Sequence, residues 1–265
     1  MYPHTNNSRL SAFALILPLA LLASLPRETR AETPFQASQK FIESGQSTEA
    51  RRSLESELRM RPDNIQARYN LAILVEQIGH QSDAISLYKE NLAIAWHLPS
   101  LVNLASLLQA SGNSSQAVRW LEKGTEKLRR EATPWYLLAA ISEKQNNRIR
   151  AAKQYRRALK ADPLNGFAHL HYASFQSRNK LADHGVKHGE RATKLLPTCA
   201  PCWRKYGDIL QAAGRAQEAL AAYQRSLAVD PDNKTRLKLV STLRLLGYDT
   251  RADQIQRGLD LNTGK

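Results

Sequence analysis

The residues best suited to chemistry are the chain's two cysteines, Cys199 and Cys202, in the run Thr198-Cys199-Ala200-Pro201-Cys202-Trp203. Two residues between thiols allow three uses. A disulfide would staple a local turn in an oxidising compartment. A redox-active dithiol would gain from Cys199 at a helix start, where the dipole lowers a thiol pKa. A metal could take both sulfurs. Covalent haem is excluded, because it needs His directly after the second Cys and Trp203 stands there. The redox use lacks the βαβ setting that makes this spacing convincing.

Histidines offer a second possibility. His184 and His188 are four apart on one helical face, and His169 and His171 lie on the helix before. Two histidines so spaced can share an ion. No acidic third ligand is evident, so we expect exposed histidines and no metal site. The sequence also holds no phosphate-cradling glycine loop, nucleophile elbow or metalloprotease helix motif. No cofactor is implied.

Charge is the outlying bulk property. Lys and Arg outnumber Asp and Glu by 38 to 24, a formal net charge of +14. Such a surface suits anionic lipid, acidic polysaccharide, an acidic protein or nucleic acid. Arg148, Arg150, Lys153, Arg156, Arg157 and Lys160 cluster, with Lys123, Lys127, Arg129 and Arg130 before them. On a second, outward helix this is a basic ridge. It is either a solvated face or a dock for anionic membrane or polysaccharide, where each cation contributes ~1 kcal/mol.

The first 31 residues read as a signal segment. Arg9 precedes the apolar run Ser11 to Leu25, broken by Pro18, and Thr29 and Ala31 offer a cleavage site before Glu32. The run is shorter than the ~20 residues of a membrane span. An uncleaved anchor over residues 10–25 of an inner membrane is the alternative to a cleaved leader. Cleavage would remove three arginines and one glutamate and leave a charge of about +12. Both routes predict export to the periplasm, which argues against nucleic acid as a partner.

The elements that must position these residues come from a repeat. Ala50, Ala84, Ala117, Ala151, Ala219 and Ala252 recur at 34, 33, 34, 68 and 33 residues, with Gly185 at the skipped position. Gly45, Gly79, Gly112, Gly214 and Gly247 run five residues ahead, and Asn146 and Lys180 fill that series' gaps. Pro62, Pro163, Pro197 and Pro231 form a third series, with Asn64, Asn165 and Asn233 two residues after three of them. A small residue lets two helices approach, glycine makes the tight turn between them, proline stops the second helix and asparagine caps the next. Between markers, apolar residues keep helical spacing, as in Leu71, Leu74, Val75 and Ile78.

This pattern resembles the tetratricopeptide repeat family: Trp203, Tyr206, Gly207, Leu210, Ala219, Tyr223 and Pro231 follow its motif closely, and Trp135, Leu138, Ala139, Ala151, Tyr155 and Pro163 follow it next best. We place repeats at about 31–64, 65–97, 98–131, 132–165, 166–199 and 200–233, so that the array covers 32–233. A degenerate seventh hairpin and cap fill 234–265. The fifth repeat departs most, with His169 for the Trp, Gly185 for the Ala and Gly189 for the aromatic, and is expected to be looser.

The resemblance implies an all-α, right-handed α-solenoid with a concave surface lined by the first helix of each repeat. Carried over from the family, the groove residues are Tyr69, Glu76, Gln77, Val102, Ser106, Gln109, Tyr136, Glu143, Lys144, Phe167, Leu170, Arg178, Arg204, Asp208 and Gln211. Aromatics with both charge signs suit an extended or helical peptide. Asn70 and Asn103 match part of a carboxylate clamp found in some relatives, but its basic members are absent. The resulting expectation is a non-enzymatic periplasmic scaffold that binds a protein or peptide, serving an envelope machine such as a pilus, secretion apparatus or polysaccharide exporter. The alternatives are a thiol–disulfide component using Cys199 and Cys202, or anionic glycan or lipid binding on the ridge.

Overall fold

The computed structural model describes residues 32–263, so the proposed signal segment lies outside the described residues. Among the described residues there are only helices, fourteen of them, paired as hairpins. They are α1 (Pro34–Glu43) with α2 (Ser47–Met60), α3 (Ile65–Gln77) with α4 (Gln81–Ile94), and α5 (Leu98–Ala110) with α6 (Ser114–Lys127). Then follow α7 (Thr133–Lys144) with α8 (Arg148–Ala161), α9 (Gly166–Arg178) with α10 (Ala182–Leu195), α11 (Ala200–Ala212) with α12 (Ala216–Val229), and α13 (Asn233–Leu245) with α14 (Asp249–Thr263). The chain divides into two compact units, one running to Glu57 and the other from Leu58. No described helix is long and apolar enough to cross a membrane.

Each sequence marker has its physical counterpart. The residues of the glycine series stand at the turn inside each hairpin with positive φ, and the two gap-fillers do the same: Asn146 at 59° and Lys180 at 63°. Lys180 therefore holds a left-handed conformation that costs a side-chain-bearing residue roughly 1–2 kcal/mol. The alanine series is fully buried, Ala84, Ala117, Ala151 and Ala219 all at 0% exposure. Beside it sit Tyr88, Tyr155 and Tyr223, each four residues on and each enclosed in the core.

Two of the three expected caps form. The side chains of Asn64 and Asn165 accept from the backbone N–H of Ala67 and Ala168 at 3.0 and 2.9 Å. The third is displaced by one residue: Asp232, not Asn233, caps α13 by accepting from Thr235 N–H at 2.9 Å. A carboxylate there also faces the positive helix end, which favours it over the amide. Asn165→Ala should lower stability by about 1 kcal/mol in urea unfolding, because it orphans a helix N–H. No change in midpoint would refute the cap's contribution.

The expectation of a loose fifth hairpin is overturned. A Cβ on Gly185 would sit 2.8 Å from the carbonyl oxygen of Ala173, and one on Gly189 would sit 2.6 Å from the Tyr206 ring. The missing side chains let α10 close on α9 at Gly185 and on α11 at Gly189 instead of leaving a gap. Val186, Ile209 and Leu210 close the core over the seam.

Candidate peptide-binding groove

In the second unit, α7, α9 and α11 stand side by side as the first helices of successive hairpins, and between them run two linked recesses. One, of about 370 Å³, is lined by Ala140, Glu143, Lys144, Tyr155, His171 and Arg178. The other, of about 320 Å³, is lined by Ser174, Ser177, Arg178, Lys205, Asp208, Ile209 and Ala212. Arg178 belongs to both.

The groove carboxylates are held from behind by the buried tyrosines. Tyr88 Oη donates to Glu76 Oε2 at 2.8 Å, Tyr155 Oη to Glu143 Oε2 at 3.3 Å and Tyr223 Oη to Asp208 Oδ1 at 2.7 Å. Tyr223 Oη also lies 3.2 Å from Gln211 Oε1. Burial, with the neighbouring carboxylates, pushes all three phenols up, so they stay protonated donors. The acceptors at positions 76, 143 and 211 each lie twelve residues before their tyrosine, a spacing present in the sequence that marker residues alone did not single out.

A second set of contacts ties neighbouring hairpins. Arg178 grips Glu143 with two prongs, Nε to Oε1 at 2.8 Å and Nη2 to Oε2 at 3.1 Å. Lys238 Nζ reaches Asp208 Oδ1 at 2.7 Å, and Arg204 Nη1 reaches Asp232 Oδ2 at 3.3 Å. Asn103 Nδ2 donates to Tyr88 Oη at 3.1 Å and approaches Tyr69 Oη at 3.4 Å.

Of the groove residues anticipated from the sequence, Glu143, Lys144, Arg178 and Asp208 line the two recesses. Gln77, Ser106 and Phe167 are exposed, while Tyr69, Glu76, Val102, Gln109, Tyr136, Arg204 and Gln211 are half-buried. Leu170 is a correction. It is 3% exposed and packs with Ala192 and Cys202, so it belongs to the core. His171, one residue and about 100° further round the helix, takes the groove position. The same one-residue offset applies to Lys205, which lines the recess where Arg204 was expected. Asn103, His171 and Lys205 recur at 68 and 34 residues, so the repeat period itself contained the signal.

The expectation of exposed histidines is also corrected: of His169, His171, His184 and His188, only His184 is exposed. His171 stacks on Tyr136, with ring centroids 4.8 Å apart and planes 10° from parallel. Burial, reinforced by Lys205 and Arg178, takes its pKa down to about 4. His169 and His188 pair with each other, Nδ1 to Nδ1 at 2.9 Å, and His169 Nε2 donates to Pro163 O at 3.1 Å. That carbonyl fixes the proton on Nε2, which leaves Nδ1 to accept from His188. No group of three metal-ligating side chains occurs among the described residues.

Cys199 and Cys202 lie at an S–S distance of 2.02 Å, at the junction of the fifth and sixth hairpins. Cys199 Sγ also caps α11, accepting from Cys202 N–H at 3.2 Å, and Cys202 is 1% exposed. The six ridge residues are exposed on α8. Two are engaged: Arg150 pairs with Glu122 at 3.0 Å, and Arg157 lies over the Trp135 ring at 4.9 Å. These residues border an outer recess of about 560 Å³, where Glu122 and Glu126 offset much of the positive charge.

An all-α stack of helical hairpins with an open side-chain groove is a repeat-protein architecture, and tetratricopeptide repeats are found in three stretches of it. Family models of that description match residues 35–99, 132–163 and 200–233. A tetratricopeptide repeat protein from Parabacteroides merdae shares the fold with a TM-score of 0.60 over 85% of this chain and 90% of its own, at 17% identity. In sequence, the chain is similar to the human Protein O-mannosyl-transferase TMTC1, 28% identical over 62% of this chain and 19% of the relative. It is similar too to Small glutamine-rich tetratricopeptide repeat-containing protein 2 of Saccharomyces cerevisiae, 26% identical over 60% of this chain and 47% of the relative. The chain thus spans less than half the length of either curated relative. Proteins built of these repeats are in general protein–protein interaction scaffolds.

Proposed function

We propose that this chain is an exported, non-enzymatic adaptor that holds a protein segment in the α7–α9–α11 groove while an envelope machine is assembled. The observation that carries the reading is the pair of recesses joined at Arg178, open to solvent and lined by three successive first helices. Such a surface presents several fixed polar groups to an extended ligand and encloses no reaction chamber. The sequence of residues 1–31 supports periplasmic placement, and the Cys199–Cys202 pair, closing the first turn of α11 at the junction with the preceding hairpin, suits an oxidising compartment. The pilus, secretion apparatus and polysaccharide exporter remain the machines of choice. The outer ridge is the poorer candidate for binding, because Arg150 and Arg157 already have partners.

The test is capture from the native host with the full chain, after alkylation of free thiols in intact cells. A specific protein partner should be recovered from the periplasmic fraction, with Cys199 and Cys202 unmodified. Recovery of no protein would count against the adaptor, and alkylated cysteines on a cytosolic chain would overturn the export.

A further inference from the structure

The two recesses are electrically unbalanced, and the imbalance selects a ligand. Every carboxylate that lines them is already neutralised from within. Glu143 receives both prongs of Arg178 as well as the Tyr155 hydroxyl, and Asp208 receives Lys238 and the Tyr223 hydroxyl. Lys144 and Lys205, on opposite sides of Arg178, have no ion-pair partner among the described residues. Two groups register the excess. After burial, the next causes of His171's depressed pKa are Lys205 and Arg178. Lys205 is itself pulled below the usual lysine range, first by burial and then by Arg178 and Arg204. An ammonium held close to like charges is stabilised by any anion that reaches it.

We propose that the groove from Lys144 through Arg178 to Lys205 holds a partner segment bearing at least two acidic side chains. The inference rests on the groove reading above and narrows it to a substrate class. Carboxylates on an extended peptide fit recesses of a few hundred cubic ångströms, which a bilayer surface cannot enter. Ser174 and Ser177, between the cations, supply hydroxyls for the peptide's backbone. The recognition is of side chains along the segment, since the clamp that grips a terminal carboxylate is absent.

The probe is a fluorescent peptide of ~ten residues, alternating Glu and Leu, acetylated and amidated so that no terminal charge remains. Its partners in the assay are the Gln–Leu isostere and the Lys–Leu counterpart. Against the full chain at about 50 mM salt, the acidic peptide should bind at least about tenfold tighter than the isostere, and added salt should shrink that gap. Lys144→Gln with Lys205→Gln should remove the preference while helical content is unchanged, and saturating acidic peptide should raise the His171 titration midpoint by NMR. Equal affinity for acidic and isosteric peptides would overturn the proposal yet leave a peptide groove standing. Acidic binding that ignores the double substitution, or that needs a free terminal carboxylate, would overturn it too. Binding of none of the three also sinks it, and partner capture from the host then decides the broader reading by itself.

Discussion

Acidification from pH 7 to 4 should destabilise the array by about 3 kcal/mol through His171 alone, because its pKa falls from an ordinary 6.5 to about 4 on folding. The direction follows from where the proton prefers to be. In the folded chain the ring is stacked on Tyr136 near Lys205 and Arg178, so it resists protonation; in the unfolded chain it titrates normally. The neutral ring's stabilisation is fully present above about pH 6.5. As pH drops, the unfolded state gains protons first, and the contribution is lost progressively down to about 4. Urea unfolding of wild type and His171→Phe across this window should give stability curves that converge with acid. Parallel curves would refute the assignment. The same prediction reports on the groove, since bound carboxylates would move the convergence upward.

Gly185→Val should be the most damaging single substitution in the central hairpins, lowering stability by about 3 kcal/mol. Its first added atom would meet the Ala173 carbonyl at 2.8 Å, with Ser177 N and Ile209 Cγ2 both at 3.4 Å. Two of these three obstacles are backbone, so no rotamer change relieves them, and α10 must move off α9. Stacked hairpins touch mainly their neighbours, so a wedge here should also divide the cooperative unit. Trp96, Trp120 and Trp135 lie on one side of the seam and Trp203 on the other. Fluorescence of a chain keeping Trp203 alone should then depart from the circular dichroism transition. A variant within about 0.5 kcal/mol of wild type, unfolding in a single step, would show that the helices have room.

What the sequence disclosed was whatever the repeat period enforces. The alanine and glycine series located every hairpin in the region they cover, because close approach and left-handed turns admit few residue types. Asn146 and Lys180 show the rule's strength, adopting positive φ where glycine was missing. The failures share a different physics. Leu170 was assigned to the groove by family position, but a rotation of 100° separates core from solvent on a helix, and one residue supplies it. Gly185 and Gly189 looked like a weak hairpin because loss of bulk was equated with loss of contact; the neighbouring backbone and Tyr206 fill the space instead. His171's burial and the carboxylate-to-tyrosine bonds depend on which side chains from separate helices meet, which spacing along one helix does not reveal. Asp232 took the cap from Asn233 by electrostatics, a choice that a proline-based register could not make.

The Gly189–Tyr206 contact carries a consequence for how this protein can change over generations. One small volume is shared by residues in two adjacent hairpins, at present all of it held by the tyrosine ring. Neither position can enlarge by itself, so an exchange between them must pass through an intermediate with an empty space or a clash. The route with both residues small is the milder one. The favoured order of change therefore gives up the ring at 206 before Gly189 is replaced.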